Sequence, residues 1–234
     1  MFFCLLCHGH CSPLKDVCNG CYEDLPWNHS HCIRCSEPVI EPALSGLNEE
    51  GVCQRCQQQE PYFDRCIAPF RYEFPIDQLL LQGKGGAQAE LLKPLSRWLA
   101  EQVRKQMGFT PDLLAPVPMT PQKQRQRGYN QAGLVATQIG AALSLPVSHE
   151  LIKKVREPAQ QKSLSRSARE QNLRRAFRID RTVLHGFKQP VRHVVLIDDV
   201  VTTGSTINQL SQQLRSSGVE QVEAWAIAYT ARKR

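Results

Sequence analysis

The sequence predicts an α/β chain in two parts: a small cysteine-rich module, then a mostly parallel sheet with helices on both faces. Three observations carry this reading. Eight of the ten cysteines form four C-x-x-C pairs within the first 56 residues. From about residue 63 onward, strand-like and helix-like patterns alternate. Late in the chain, four apolar residues run into two adjacent acids and then into small hydroxyl residues around one glycine, VVLIDDVVTTGST.

The pairs are Cys4/Cys7, Cys18/Cys21, Cys32/Cys35 and Cys53/Cys56. A C-x-x-C turn aims two thiolates at one metal, and four sulfurs complete a tetrahedral zinc site. The simplest assignment joins neighbours in sequence. Cys4, Cys7, Cys18 and Cys21 then take one zinc, and Cys32, Cys35, Cys53 and Cys56 a second. Spacing leaves an interleaved cross-brace open. A segment this short lacks the core to fold alone, so both zinc ions are expected to be structural. Cys66 reads as a small core residue, and Cys11 is left over.

At 234 residues there is room for one α/β domain and something small. The expected division is 1–60 and 61–234. Charge follows the same boundary: residues 1–60 carry 3 Lys/Arg against 8 Asp/Glu, leaving 26 against 14 for the remainder. That asymmetry suggests separate modules and an anionic partner for the second. No apolar run reaches the roughly 20 residues that span a bilayer. The first residues, MFFCLLC, lack the basic flank of a signal peptide. A cytoplasmic protein with reduced thiols and no membrane insertion is expected.

Element by element, residues 63–72 alternate as a strand, 76–81 form a short helix and 82–88 a loop. Residues 89–107 place Leu91, Leu92, Leu95, Trp98, Leu99 and Val103 at helical spacing. A short strand at 113–117 leads into a basic loop, PMTPQKQRQRGYN, and then a helix over 131–143. A strand is expected at 149–155. Residues 156–190 are basic and poorly periodic, with 165–176 a candidate helix. Strand 193–197, helix 206–216 and strand 222–229 complete the chain.

Strand 194–197 should be buried and parallel, delivering Asp198 and Asp199 at its carboxyl end. Ligands of open α/β sheets bind there. Thr202, Thr203, Gly204, Ser205 and Thr206 then lead into a helix whose positive end and free amides can hold a phosphate. Small side chains let the phosphate approach the backbone. The loop itself has no Lys or Arg, so its donors are N–H and O–H groups. Two acids can accept hydrogen bonds from neighbouring hydroxyls, so a ribose 5-phosphate fits the pair and the loop together. A Walker B strand would need a G-x-x-x-x-G-K-[ST] loop, and none is present.

VVLIDDVVTTGST resembles the motif of type I phosphoribosyltransferases that binds 5-phosphoribosyl 1-diphosphate (PRPP). The whole chain resembles the ComF family, GntX-type: a double zinc ribbon followed by a phosphoribosyltransferase-like domain. The resemblance also rests on PVPMTPQKQRQRGYNQA at 116–132, on the block at 161–177, and on Lys84. It implies that Asp198 and Asp199 hold the ribose hydroxyls and that residues 202–206 hold the 5-phosphate. Pro116, Val117 and Pro118 take the place of the pyrophosphate loop. Arg127, Gly128, Tyr129 and Asn130 line the same cleft. Residues 156–177 correspond to a mobile flap, whose Arg156, Arg166 and Arg169 face pyrophosphate or nucleic acid. Mg²⁺ is expected with PRPP.

The family also implies a role in DNA uptake or utilisation, with partners among the DNA-uptake proteins. One position departs from several purine-salvage members. Three residues after the second acid they carry another acid, and here stands Thr202. The acceptor, and whether a phosphoribosyl group is transferred at all, are therefore open. The alternative is a non-catalytic protein of the same fold that binds single-stranded DNA or serves as an adaptor. Thirteen of the 26 Lys/Arg after residue 60 fall within 123–181, Lys123 and Arg125 among them, against four acids. That is a plausible surface for tracking phosphates.

Overall fold

The computed structural model describes residues 3–12, 16–39, 47–84, 86–156 and 175–230. The main sheet is parallel, with strand order β1-β7-β6-β3. Here β1 is Arg65–Ile67, β3 Leu113–Pro116, β6 His193–Val201 and β7 Gln221–Tyr229; β2, Phe70–Arg71, pairs with β7 beyond the end of β1. The expected strand at 63–72 is thus two short strands. Ala68 and Pro69 part them, and proline has no amide for a ladder. Strands β6 and β7 pair from His193↔Gln221 to Val201↔Tyr229. Both are buried along most of their length, as expected of strands covered on both faces.

Helices cover both faces. On one lie α3 (Ile76–Gln82), α4 (Leu92–Gln106, entered through a 3₁₀ turn at Gly86–Leu91) and α6 (Gln131–Leu143). Their Leu80, Leu95, Leu99, Val135 and Ile139 pack on Val195, Ile197 and Trp225. On the other face Ile207, Leu210 and Leu214 of α8 (Ser205–Arg215) pack among Val194, Leu196, Val222 and Ala224. These are the period-two faces of β6 and the i, i+3, i+7 stripe of α8.

The cysteine module covers the β1/β2 edge of the sheet. It contains two helical turns, α1 (Asn19–Glu23) and α2 (Gln54–Gln58). Backbone bonds run from Asn28 to Pro69, from Arg71 to Pro26 and from Cys66 to Arg34, at 2.7–2.8 Å. Ser36 Oγ donates to the Cys66 carbonyl (2.7 Å) and accepts from the Ala68 amide (3.2 Å). An edge that would expose unpaired backbone groups is thereby closed. Cys4, Val17 and Leu25 join the core on the α4 side, whereas Cys32, Cys35, Cys53 and Cys56 join the core on the α8 side. The module therefore straddles the edge and belongs to both cores.

Three further expectations need correction. The basic loop after β3 contains a helix, α5 (Pro121–Arg127). Thr120 caps it by accepting from the Lys123 amide, Pro121 begins it, and Gly128 ends it at φ +84°. Its periodicity was invisible because it has no apolar face: all seven residues are exposed. The strand expected at 149–155 is β4 (Ile152–Lys154). It lies outside the main sheet, paired antiparallel with β5 (Phe177–Ile179). A further helical turn, α7 (Arg181–His185), follows with Asp180 as its N-cap. Strand β6 does not end at Ile197 but runs to Val201. The candidate helix at 165–176 lies almost wholly outside the described residues.

Candidate functional site

Two cysteine clusters are formed, and each joins neighbours in sequence: Cys4, Cys7, Cys18 and Cys21, and Cys32, Cys35, Cys53 and Cys56. Within each, the four sulfurs lie within 4.8 Å of one another. The cross-brace is thus not the arrangement adopted. The clusters are built alike. In every pair the carbonyl of the first cysteine accepts from the amide four residues on, namely His8, Tyr22, Ser36 and Gln57, at 2.9–3.1 Å. One pair in each cluster sits at the start of a helical turn, α1 or α2. The other closes a turn at a residue with positive φ, His8 or Ser36. The Cys7–Cys18 and Cys35–Cys53 sulfurs are 3.8 and 3.7 Å apart. A tetrahedron with metal–sulfur bonds of about 2.3 Å has edges of about 3.8 Å, so the donor set suits one metal ion per cluster. Cys66 belongs to neither cluster; burial pushes its thiol up to about 12.

The acid pair lies inside β6, past the point where its neighbour stops. Strand β3 ends at Pro116, and the Val117 amide makes the last rung to the Ile197 carbonyl (2.8 Å). Beyond it Asp198 and Asp199 are part-buried on an open strand edge. The Asp199 amide donates to Asp198 Oδ1, and the Val200 amide to Asp199 Oδ1, both at 2.9 Å. Burial, and after it the charge of Asp199, push the Asp198 carboxyl well above the usual carboxylate range; Lys154 pulls weakly the other way. On the Asp199 side, burial and then the charges of Asp77 and Asp199 push the Tyr72 hydroxyl up.

After Val201 the chain turns through Thr202, Thr203 and Gly204 into α8. Gly204 is left-handed at φ +70°. Nothing lies within 4 Å of where its Cβ would stand, so glycine is needed for conformation and not for space. The first helical bond is from the Asn208 amide to the Gly204 carbonyl (2.8 Å). Gly204, the N-cap of α8, has no side chain to cap the helix; the Ser205 amide donates to Thr203 Oγ1 at 3.3 Å. Thr203 and Ser205 hydroxyls bond each other at 2.7 Å. Such an end can accept an anion.

One residue at this loop had no signal in its own stretch of sequence. Arg55 of the cysteine module donates from Nη1 to the Thr203 carbonyl (2.7 Å) and from Nη2 to Tyr229 Oη (3.2 Å). Lys154, which lies 5.7 Å over the Phe177 ring, is a second cation near the acids that spacing did not single out.

The structure joins some of the expected cleft residues to this site. Asn130 Nδ2 donates to the Val117 carbonyl (3.0 Å), tying the start of α6 to the segment beside Ile197. Pro116 is buried at the end of β3, and Pro118 is part-buried. Tyr129 turns toward α3 and donates to the Gly83 carbonyl. Lys123, Arg125, Arg127 and Gly128 are exposed along α5, as is Arg156 just after β4. Arg166 and Arg169 lie outside the described residues. No helix among the described residues is long and apolar enough to cross a membrane.

Comparison with known proteins agrees with this geometry. The profile of the phosphoribosyl transferase domain matches residues 88–234. The chain is 32% identical over 232 residues to "Competence protein F" of Haemophilus influenzae, covering 97% of this chain and 96% of that protein. It is 31% identical over 218 residues to "DNA utilization protein YhgH" of Salmonella typhimurium, covering 92% and 90%. The protein of the same name from Escherichia coli K12 is 30% identical over the same share.

Proposed function

Because the chain belongs to the phosphoribosyl transferase domain family, we propose that it binds a ribose 5-phosphate, with PRPP as the first candidate, in a protein of DNA uptake or DNA utilisation. The single observation that carries the binding is the open edge of β6. It sets two carboxylates beside a small-residue loop and an uncapped helix start. The acids accept the ribose 2- and 3-hydroxyls, and the amides and hydroxyls of residues 202–206 take the 5-phosphate. Pro116, Val117 and Pro118, with Asn130 behind them, form the wall at the diphosphate, and Mg²⁺ offsets its charge. Any transfer would rest on positioning and electrostatics.

In this reading residues 1–60 act as a structural zinc module, with a thiolate-only donor set that suits zinc. Residues 61–234 carry the sugar-phosphate site. The role in DNA rests on the names of the relatives and on the exposed bases of α5. Those bases favour a second reading, in which single-stranded DNA is bound without turnover.

Titration with PRPP and Mg²⁺ and with single-stranded DNA, at low and raised salt, separates the two readings. A saturable PRPP site in wild type, weakened by Asp199→Asn, supports the first. DNA binding that falls steeply with salt, with no PRPP site, supports the second and removes the first.

A further inference from the structure

We propose that Arg55 is a positioning residue of the sugar-phosphate site, contributed by the cysteine module. It orients the loop amide that meets the phosphate and links loop geometry to the Cys32/Cys35/Cys53/Cys56 cluster. The inference rests on the ribose-phosphate reading for its ligand, but the contact itself is made within the chain.

Arg55 stands between two members of one cluster, Cys53 and Cys56, in the single turn of α2. Its backbone cannot shift without moving a sulfur. Its guanidinium is further held by Glu37, at 3.5 Å from Nη2, and Glu37 lies 3.8 Å from Cys53 Sγ. From this base Nη1 reaches the Thr203 carbonyl at 2.7 Å, and Nη2 reaches Tyr229 Oη at 3.2 Å, next to the end of β7. A guanidinium is a rigid planar fork, so two bonds from one group fix direction as well as distance.

The peptide bond carries that direction onward. In a planar trans peptide the carbonyl and the following N–H point opposite ways. Holding the Thr203 carbonyl toward the module therefore turns the Gly204 N–H away from it. Gly204 is left-handed and nothing lies within 4 Å of where its Cβ would stand, so side-chain packing at this position does not choose the orientation of the Thr203–Gly204 peptide. A glycine peptide without an anchor can flip, and a flipped one would present a carbonyl where a phosphate needs a donor. Arg55 removes that alternative. It also sets a permanent positive charge behind a loop that has none of its own.

The test uses the whole chain, as wild type, Arg55→Ala and Arg55→Lys, each with its metal content measured. Hydrogen exchange of residues 202–208 is followed without ligand, and ribose 5-phosphate affinity is measured by calorimetry. Arg55→Ala should speed exchange in this segment, leave α4 unchanged and weaken ribose 5-phosphate about tenfold or more, the scale of a lost charge-assisted hydrogen bond. Arg55→Lys, which keeps the charge and one donor, should recover part of both losses. Metal content should equal wild type in all three. Unchanged exchange in Arg55→Ala, or exchange that rises over the whole chain with loss of metal, overturns the proposal; so does equal affinity for ribose 5-phosphate. If wild type binds no ribose 5-phosphate, the ribose reading fails by itself, and exchange still decides whether Arg55 orders the loop.

Discussion

The amide of Asp199 donates to the carboxylate of Asp198 at 2.9 Å, so the two acids are coupled through the backbone as well as by charge. Burial and the neighbouring charge raise the Asp198 carboxyl above its range in an unfolded chain. The folded state then holds a proton that the unfolded state releases. The stability this contributes is full below the ordinary carboxylate range, about pH 4, and is lost as pH rises through the raised value. Asp198→Asn has no such proton. Urea unfolding across pH should show the mutant gaining on wild type as pH rises, by at most about 1.4 kcal/mol per pH unit. A constant difference across pH would contradict the coupling.

Asp199→Asn keeps size and removes charge on an open strand edge, so the fold should survive. PRPP binding should weaken by about 1.5–3 kcal/mol, the range for a hydrogen bond to a charged group. Melting curves with and without PRPP and Mg²⁺ check this. Equal ligand-induced shifts in mutant and wild type would show that the acids do not hold a ribose.

Purified under reducing conditions, the chain should carry two zinc ions, and Cys18→Ser and Cys53→Ser should each lose one. The losses should not be equivalent. The second cluster is buried at all four cysteines within the core that holds α8, whereas only Cys4 of the first cluster is buried. Cys53→Ser should therefore lower the melting temperature more than Cys18→Ser. Zinc-free protein with an unchanged melting curve would remove the structural role.

Arg125→Ala with Arg127→Ala removes two exposed charges from the last turn of α5 without touching the core. If this helix follows a DNA backbone, the dependence of log affinity on log salt should flatten by about two units, one per lost phosphate contact. An unaltered slope places any DNA elsewhere.

Arg215 closes the passage from the cysteine module into β1. It donates to the Tyr62 carbonyl (2.6 Å), the Glu220 carbonyl (2.8 Å) and Asp64 Oδ1 (2.6 Å), and Asp64 Oδ2 accepts from the Val222 amide (2.8 Å). The pair is partly exposed, which discounts its charge. Arg215→Ala should still cost about 1–2 kcal/mol, because two carbonyls lose their donor together. Chemical denaturation measures it, and a change under about 0.5 kcal/mol would mean that water replaces the guanidinium.

Much of this protein is local, and local chemistry was legible in its sequence. Each C-x-x-C closes its own turn, the apolar period of β6 marks a buried strand, and Gly204 marks the turn into α8. The periodicity of residues 89–107 predicted α4, and α6 stands where a helix was expected over 131–143. Segments without an apolar face left no such mark, which is why α5 went unseen. The tertiary structure alone decided which cysteine pairs share a cluster, because spacing permits both arrangements. It also decided that the short β3 pairs with β6 in a register that ends at Ile197 and leaves the acids on an open edge. It alone brought Arg55 to Thr203 across 148 positions. Contacts of that range follow from how the module packs over the sheet edge, and a single arginine between two cysteines carries no periodic trace of where its side chain will reach.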